Sequence, residues 1–202
     1  MKKQENDMSQ KGKQFQWGAM VAGILVAVWL LGISASGLAV EKGDQAIPFE
    51  AKDINGKKIS LKQYEGKLVL LDFWASWCPP CRAEMPIVLK VHEKYQKQGF
   101  EVIGLVQDDE PEEALDYIKE KKLPWRQILD DIEYQGKFGD LYKIRGVPTC
   151  ILIGPDGKVI DTLARGSRLE PLVQKHIGSV TNKEPIKMEE DTPKKQESAK
   201  SE

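Results

Sequence analysis

Between residues 43 and 178 the apolar positions fall into short blocks whose spacing predicts alternating strands and helices. Leu68 to Trp74 is apolar at every position but Asp72, the pattern of a strand covered on both faces. A helix is predicted from about Pro79 to Gln98, with Met85, Val88, Leu89 and His92 on one face, a kink at Pro86 and a stop at Gly99. Its two opening prolines suit a first turn, where a missing N–H costs nothing. Phe100 to Val106 reads as a second buried strand, Pro111 to Lys122 as a helix, and Trp125 to Leu129 as a short strand. A short helix is expected over 136–143 and a last one over 169–177. Asn55-Gly56 and Gly154-Pro155-Asp156-Gly157 are turn signals, each between extended stretches, the second joining 150–153 to 158–163. This order predicts an α/β fold with a mixed central sheet and helices on both faces.

The chain outside this region has a different pattern. Residues 14–40 carry no charge, and Trp17 to Val40 is apolar enough to span a bilayer as a helix. Lys2, Lys3, Lys11 and Lys13 precede it, which would keep the N-terminus cytoplasmic and place everything after about residue 40 on the far side. Ser34-Ala35-Ser36-Gly37 leaves a cleaved signal peptide as the alternative, although the apolar stretch is longer than such segments usually have. Residues 181–202 are rich in Lys and Glu and are expected to be disordered. The expected organisation is therefore an anchor over 1–40, one domain over 41–180 and a charged tail.

Net charge is −1, from 30 basic and 31 acidic residues, with no basic patch to attract nucleic acid. Three cysteines do not make a disulfide scaffold, and two histidines beside one Cys-x-x-Cys do not make a zinc site; no metal or other cofactor is expected. Cys150, in the run Cys150-Ile151-Leu152-Ile153, reads as a small buried hydrophobe. Cys78 and Cys81 are different. A ring closed across two residues removes little loop entropy, so it stabilises little, yet it holds one thiol to attack and a second to resolve. Cys78, at the helix start, is the expected nucleophile and the more exposed of the two, favoured as thiolate by the helix dipole; Cys81, a turn inside, is the expected buried resolving thiol. Because Pro79 and Pro80 offer no N–H, the thiolate should be only moderately stabilised, and the couple should be reducing.

Trp74-Ala75-Ser76-Trp77-Cys78-Pro79-Pro80-Cys81, together with Gly146-Val147-Pro148-Thr149, closely resembles the thioredoxin superfamily. Gly43 to Phe49, Asp53 to Lys57 and Leu61 to Lys67 resemble the N-terminal hairpin of its membrane-anchored TlpA/ResA-like branch. The resemblance implies a thioredoxin-like fold with that hairpin, a strand–helix insertion around 107–130 and a cis Val147–Pro148 bond. It places Trp77 beside the sulfurs as a shield, Pro148 facing them, and Val147 where a substrate strand pairs. Asp72, a carboxyl inside an apolar strand whose pKa burial should raise, matches the thioredoxin aspartate that moves the resolving thiol's proton. The branch more often has Asn there and uses a Glu three residues after the second cysteine, a position held here by Glu84. Both acids are candidates.

The function so implied is a membrane-tethered, extracytoplasmic thiol–disulfide oxidoreductase that reduces exported proteins, possible substrates including apocytochrome c, and draws electrons from a membrane thiol carrier. The alternatives are a binding or assembly module that makes little use of its cysteines, and a peroxidase of the peroxiredoxin type, whose Pro-x3-Thr-x2-Cys pattern the residues before Cys78 do not match.

Overall fold

Strand β3 (Leu68–Trp74) is buried at every position and lies at the centre of a five-stranded sheet. The sheet belongs to a computed structural model that describes residues 39–180. The anchor and the charged tail expected on either side lie outside the described residues, among which no helix is long and apolar enough to cross a membrane.

β4 (Phe100–Val106) runs parallel to β3 on one side and β6 (Thr149–Ile153) antiparallel on the other. β5 (Arg126–Leu129) adds a parallel edge to β4, and β7 (Val159–Asp161) an antiparallel edge to β6. The mixed sheet agrees with the expectation. β1 (Glu50–Lys52) and β2 (Lys58–Ser60) form a separate hairpin around Gly56 at φ 73°. Asp53 shapes that turn: its Oδ1 accepts from the Asn55 and Lys57 N–H groups, and its Oδ2 from Arg126 Nε at 2.7 Å.

Because side chains alternate along a strand, β3 feeds two cores. Leu68, Leu70 and Trp74 join Val102, Val106, Cys150 and Leu152 under three helices: α1 (Pro79–Tyr95), α2 (Pro111–Lys121) and α5 (Leu169–His176). Val69, Leu71 and Phe73 face the hairpin through Phe49 and Ile59, and the segment carrying Phe138 and Tyr142. Asp72 occupies the same parity as Leu70 and Trp74, so it points towards the side covered by α1.

α1 continues through Pro86 and ends one turn earlier than expected. Gln96–Gln98 tightens to a 3-10 turn, and Gly99 at φ 94° lets the chain reverse into β4. A short helix that was not anticipated, α3 (Asp130–Glu133), precedes the one expected over 136–143, which is α4 (Lys137–Leu141). Asp130, the first residue of α3, links the two: its carboxylate accepts the Phe138 and Gly139 N–H groups at 2.9 and 2.7 Å, fixing where α4 starts. α2 and β5, between β4 and α3, fall within the stretch expected as an insertion.

Gly104 pairs with Asp72 on one side and Gln127 on the other. Its missing side chain leaves the space in which the fully buried Gln127 carboxamide accepts Trp74 Nε1 at 3.1 Å, and a Cβ there would overlap the Gln127 oxygen. Gly104→Ala should therefore destabilise by about 1–3 kcal/mol in urea unfolding. An unchanged midpoint would show that Gln127 moves aside at no cost.

Candidate active site

β3 ends at Trp74 and α1 begins at Pro79, so the four residues between them form the junction of strand and helix. Cys78 is the N-cap, with extended backbone at φ −92° and ψ 105°. Pro79 and Pro80 fill the first two helical positions, which makes the N–H of Cys81 the first donor of the helix. It donates to Cys78 Sγ at 3.2 Å. The two sulfurs are joined in a disulfide with Cα atoms 5.3 Å apart. One backbone donor, where an ordinary first turn has three, is the structural form of the proline argument.

Two expectations need correction here. Cys78 is not an exposed sulfur beside a buried one: the residues are 3% and 1% exposed. As N-cap, Cys78 turns its sulfur back over the first turn into the disulfide, and it packs in the same core as Trp74 and Ala75. Trp77, expected to cover the sulfurs, is instead 59% exposed. A large ring at the surface beside the disulfide suits contact with a partner better than shielding.

The loop before the cysteines is held by a residue the sequence reading missed. Asp108 is 2% exposed, and its carboxylate accepts the Ser76 N–H at 2.9 Å and the Ser76 hydroxyl. The Gln107 N–H donates to Trp74 O at 2.8 Å, so the end of β4 is tied to the end of β3 at the same place. In the sequence, Asp108 looks like part of an exposed acidic run through Glu113, and nothing local separates it from its neighbours.

Asp72 is buried, and desolvation pushes its carboxyl up from 3.8 to about 7; Glu84 adds to the rise and a hydrogen bond from Cys150 opposes it. Cys150 stands opposite Asp72 in the β3–β6 register, and its Sγ donates to Asp72 Oδ1 at 3.4 Å. It is thus more than the inert hydrophobe expected. Glu84, on α1, is half-buried and accepts the Gly166 N–H at 2.7 Å. The structure therefore brings both acid candidates into one electrostatic neighbourhood, with Asp72 as the fully enclosed member.

The Val147–Pro148 bond is cis, as the resemblance implied. Val147 is half-buried against the core that holds both cysteines. It precedes β6, so its backbone lies outside the sheet ladder. Two contacts beyond the sequence reading fix this loop: Thr149 Oγ1 donates to Gly146 O at 2.7 Å, and Arg165 Nη1 to Pro148 O at 3.1 Å. Among the described residues no group of three His, Cys, Asp or Glu side chains is placed to hold a metal ion.

Comparison with known proteins agrees with this geometry. The model of the AhpC/TSA family matches residues 42–162. The chain is 34% identical over 145 residues to the thiol-disulfide oxidoreductase ResA of Bacillus thuringiensis, covering 70% of this chain and 80% of that protein. It is 27% identical to ResA of Bacillus subtilis, covering 78% and 89%. Among solved structures, the thioredoxin domain of a thiol-disulfide oxidoreductase from Bacteroides vulgatus superposes with a TM-score of 0.63 at 32% identity, covering 69% of this chain and 99% of that one. A thiol:disulfide interchange protein DsbE from Chlorobium tepidum does so with a TM-score of 0.63 at 29% identity, covering 69% and 100%.

The environment of Asp72 predicts a pH-dependent stability. In the unfolded chain its carboxyl ionises near 3.8, and in the folded protein near 7. Folding therefore favours the protonated form, an advantage complete below about pH 4 and lost as pH rises through about 7. Asp72→Asn carries no such dependence. Urea unfolding of the oxidised proteins should show the variant gaining on the wild type between about pH 4 and 7, by about 2–4 kcal/mol in total. A stability difference that does not change with pH would contradict this environment.

Proposed function

The chain belongs to the AhpC/TSA family, and we propose that this thiol–disulfide oxidoreductase acts as a reductase of exported proteins, held at the outer face of a membrane by its N-terminal segment. The observation that carries the proposal is the Cys78–Cys81 disulfide at a helix start whose first two residues are prolines. A sparsely stabilised thiolate gives up its electrons readily, which suits reduction rather than oxidation of the substrate.

In the dithiol state the Cys78 thiolate attacks one sulfur of a substrate disulfide, and the other substrate sulfur leaves as a thiolate. Cys81 then loses its proton and attacks Cys78 Sγ. The mixed disulfide breaks, the substrate leaves with both thiols reduced, and the Cys78–Cys81 bond forms. Two electrons pass from the protein to the substrate. Asp72, titrating near neutrality inside the core, is suited to take the Cys81 proton, because a carboxyl at about 7 exchanges protons in either direction at physiological pH. Glu84 is bound to the Gly166 N–H and contributes its negative charge nearby.

The location is supported by the uncharged stretch 14–40 behind four lysines, and by the need of such chemistry for a compartment in which disulfides form. Substrate docking is supported by the exposed Trp77 ring and the unpaired backbone at Val147, beside which an extended peptide can lie. The substrates we infer are oxidised exported proteins, among them apocytochrome c, whose Cys-x-x-Cys-His must be reduced before haem attaches. A membrane thiol carrier would return the protein to its dithiol form.

Cys81→Ser removes the resolving thiol but keeps the nucleophile. In intact cells it should accumulate mixed disulfides through Cys78, seen as higher-mass bands that collapse on reduction, while Cys78→Ser accumulates none. Absence of adducts in the Cys81 variant, or equal adducts in both, would refute the exchange mechanism. Identification of the captured partners decides whether apocytochrome c is among them.

A further inference from the structure

Cys150 is left unused by the exchange mechanism, yet it is the residue that Asp72 touches. The two stand directly opposite each other in the β3–β6 register. Cys150 is fully buried and reduced, and its Sγ lies 3.4 Å from Asp72 Oδ1. The remaining neighbour of Asp72 across the sheet is Gly104, which has no side chain to offer.

Resting on the reading of Asp72 as the acid that serves Cys81, we propose that Cys150 is a positioning residue for that reaction: from the adjacent strand its S–H holds the Asp72 carboxyl in place and stabilises its ionised form. Burial and the adjacent carboxyl keep the Cys150 thiol protonated well above its ordinary range, so it remains a donor throughout the working pH. Asp72 loses the hydration that would stabilise its charge, and this single S–H replaces part of it. The charged groups around the pair act from other elements: Glu84 from α1 makes the Asp72 charge harder to form, and Arg165, from the segment after β7, acts on Cys150 in the opposite sense to Glu84. The paired Cys78 and Cys81 do not titrate. The bond thus opposes desolvation and Glu84 together, and keeps the carboxyl from staying protonated through neutrality.

The test is the carboxyl titration of Asp72 in the oxidised full-length chain, followed by infrared difference spectroscopy and assigned by its disappearance in Asp72→Asn. Because both active-site sulfurs are locked in the disulfide, the signal is independent of turnover. Cys150→Val should move the midpoint upward by about one pH unit, a tenfold change in proton concentration. Cys150→Ala, which cannot overpack the site, should move it in the same direction. Cys150→Ser keeps a donor and should return the midpoint towards the wild-type value. In the dithiol enzyme, the pH at which insulin reduction reaches half its maximal rate should move in parallel. A Val variant that titrates where the wild type does, or a Ser variant shifted as far as Val, would overturn the proposal. If the midpoint shifts as expected but Asp72→Asn leaves insulin reduction unchanged, the hydrogen bond stands and the reading of Asp72 as the acid falls, taking the positioning role with it.

Discussion

The burial of β3 on both faces is the constraint from which the rest follows. A strand with apolar side chains on both sides must lie at the centre of a covered sheet, because either face left open would expose Leu, Val or Phe to water. That placement puts β4 and β6 on its flanks, α1 across one face and the hairpin with α4 on the other. It also determines where the chemistry sits. The strand ends at Trp74, and the next element is the helix that Cys78 caps, so the disulfide stands at the rim of the sheet. Ser76–Asp108 and Trp74–Gln127 tie that rim to the loop after β4 and to β5. The cysteines are therefore held by the sheet and not by their own ring.

The one polar residue in that strand is the exception that gives the fold a use. Asp72 could be replaced by an apolar residue with a gain in stability at neutral pH, since burial there resists its charge. Its presence on the face covered by α1, with Cys150 as hydrogen-bond partner and Glu84 nearby, produces a group that changes protonation near pH 7 inside an otherwise inert core. A thiol that must lose its proton before it can resolve a mixed disulfide needs such a neighbour. The destabilisation of the fold and the availability of the proton acceptor have the same cause.

Most of the fold was legible in the sequence because it is written in periodicity and punctuation. The apolar run of β3, the prolines opening α1, Gly99 closing it and the turns at Asn55-Gly56 and Gly154 to Gly157 are local signals with local causes. The short helix α3 was not legible, nor was the hold on the start of the helix expected over 136–143, because the carboxylate that fixes it belongs to Asp130, outside that segment. The same distinction divides the site. Cys78, Cys81 and the cis Val147–Pro148 bond belong to motifs, whereas Asp108, Gln127 and Arg165 act across 32, 53 and 17 residues of chain. Cys150 was read correctly as buried, but its partner 78 residues away could only come from strand register. Exposure was the least legible property. An N-cap cysteine folds its sulfur inward over the turn, whereas the tryptophan before it stays 59% exposed.

If the proposed function holds, Cys78 and Cys81 form a reversible two-electron couple on the reducing side. Equilibrating the protein with glutathione buffers of known ratio and counting its thiols measures this directly. A reductase should show a single two-electron transition at a potential below about −150 mV, on the side of thioredoxin and not of the strong oxidant DsbA. A couple above about −150 mV, or a pair that does not cycle at all, would contradict it.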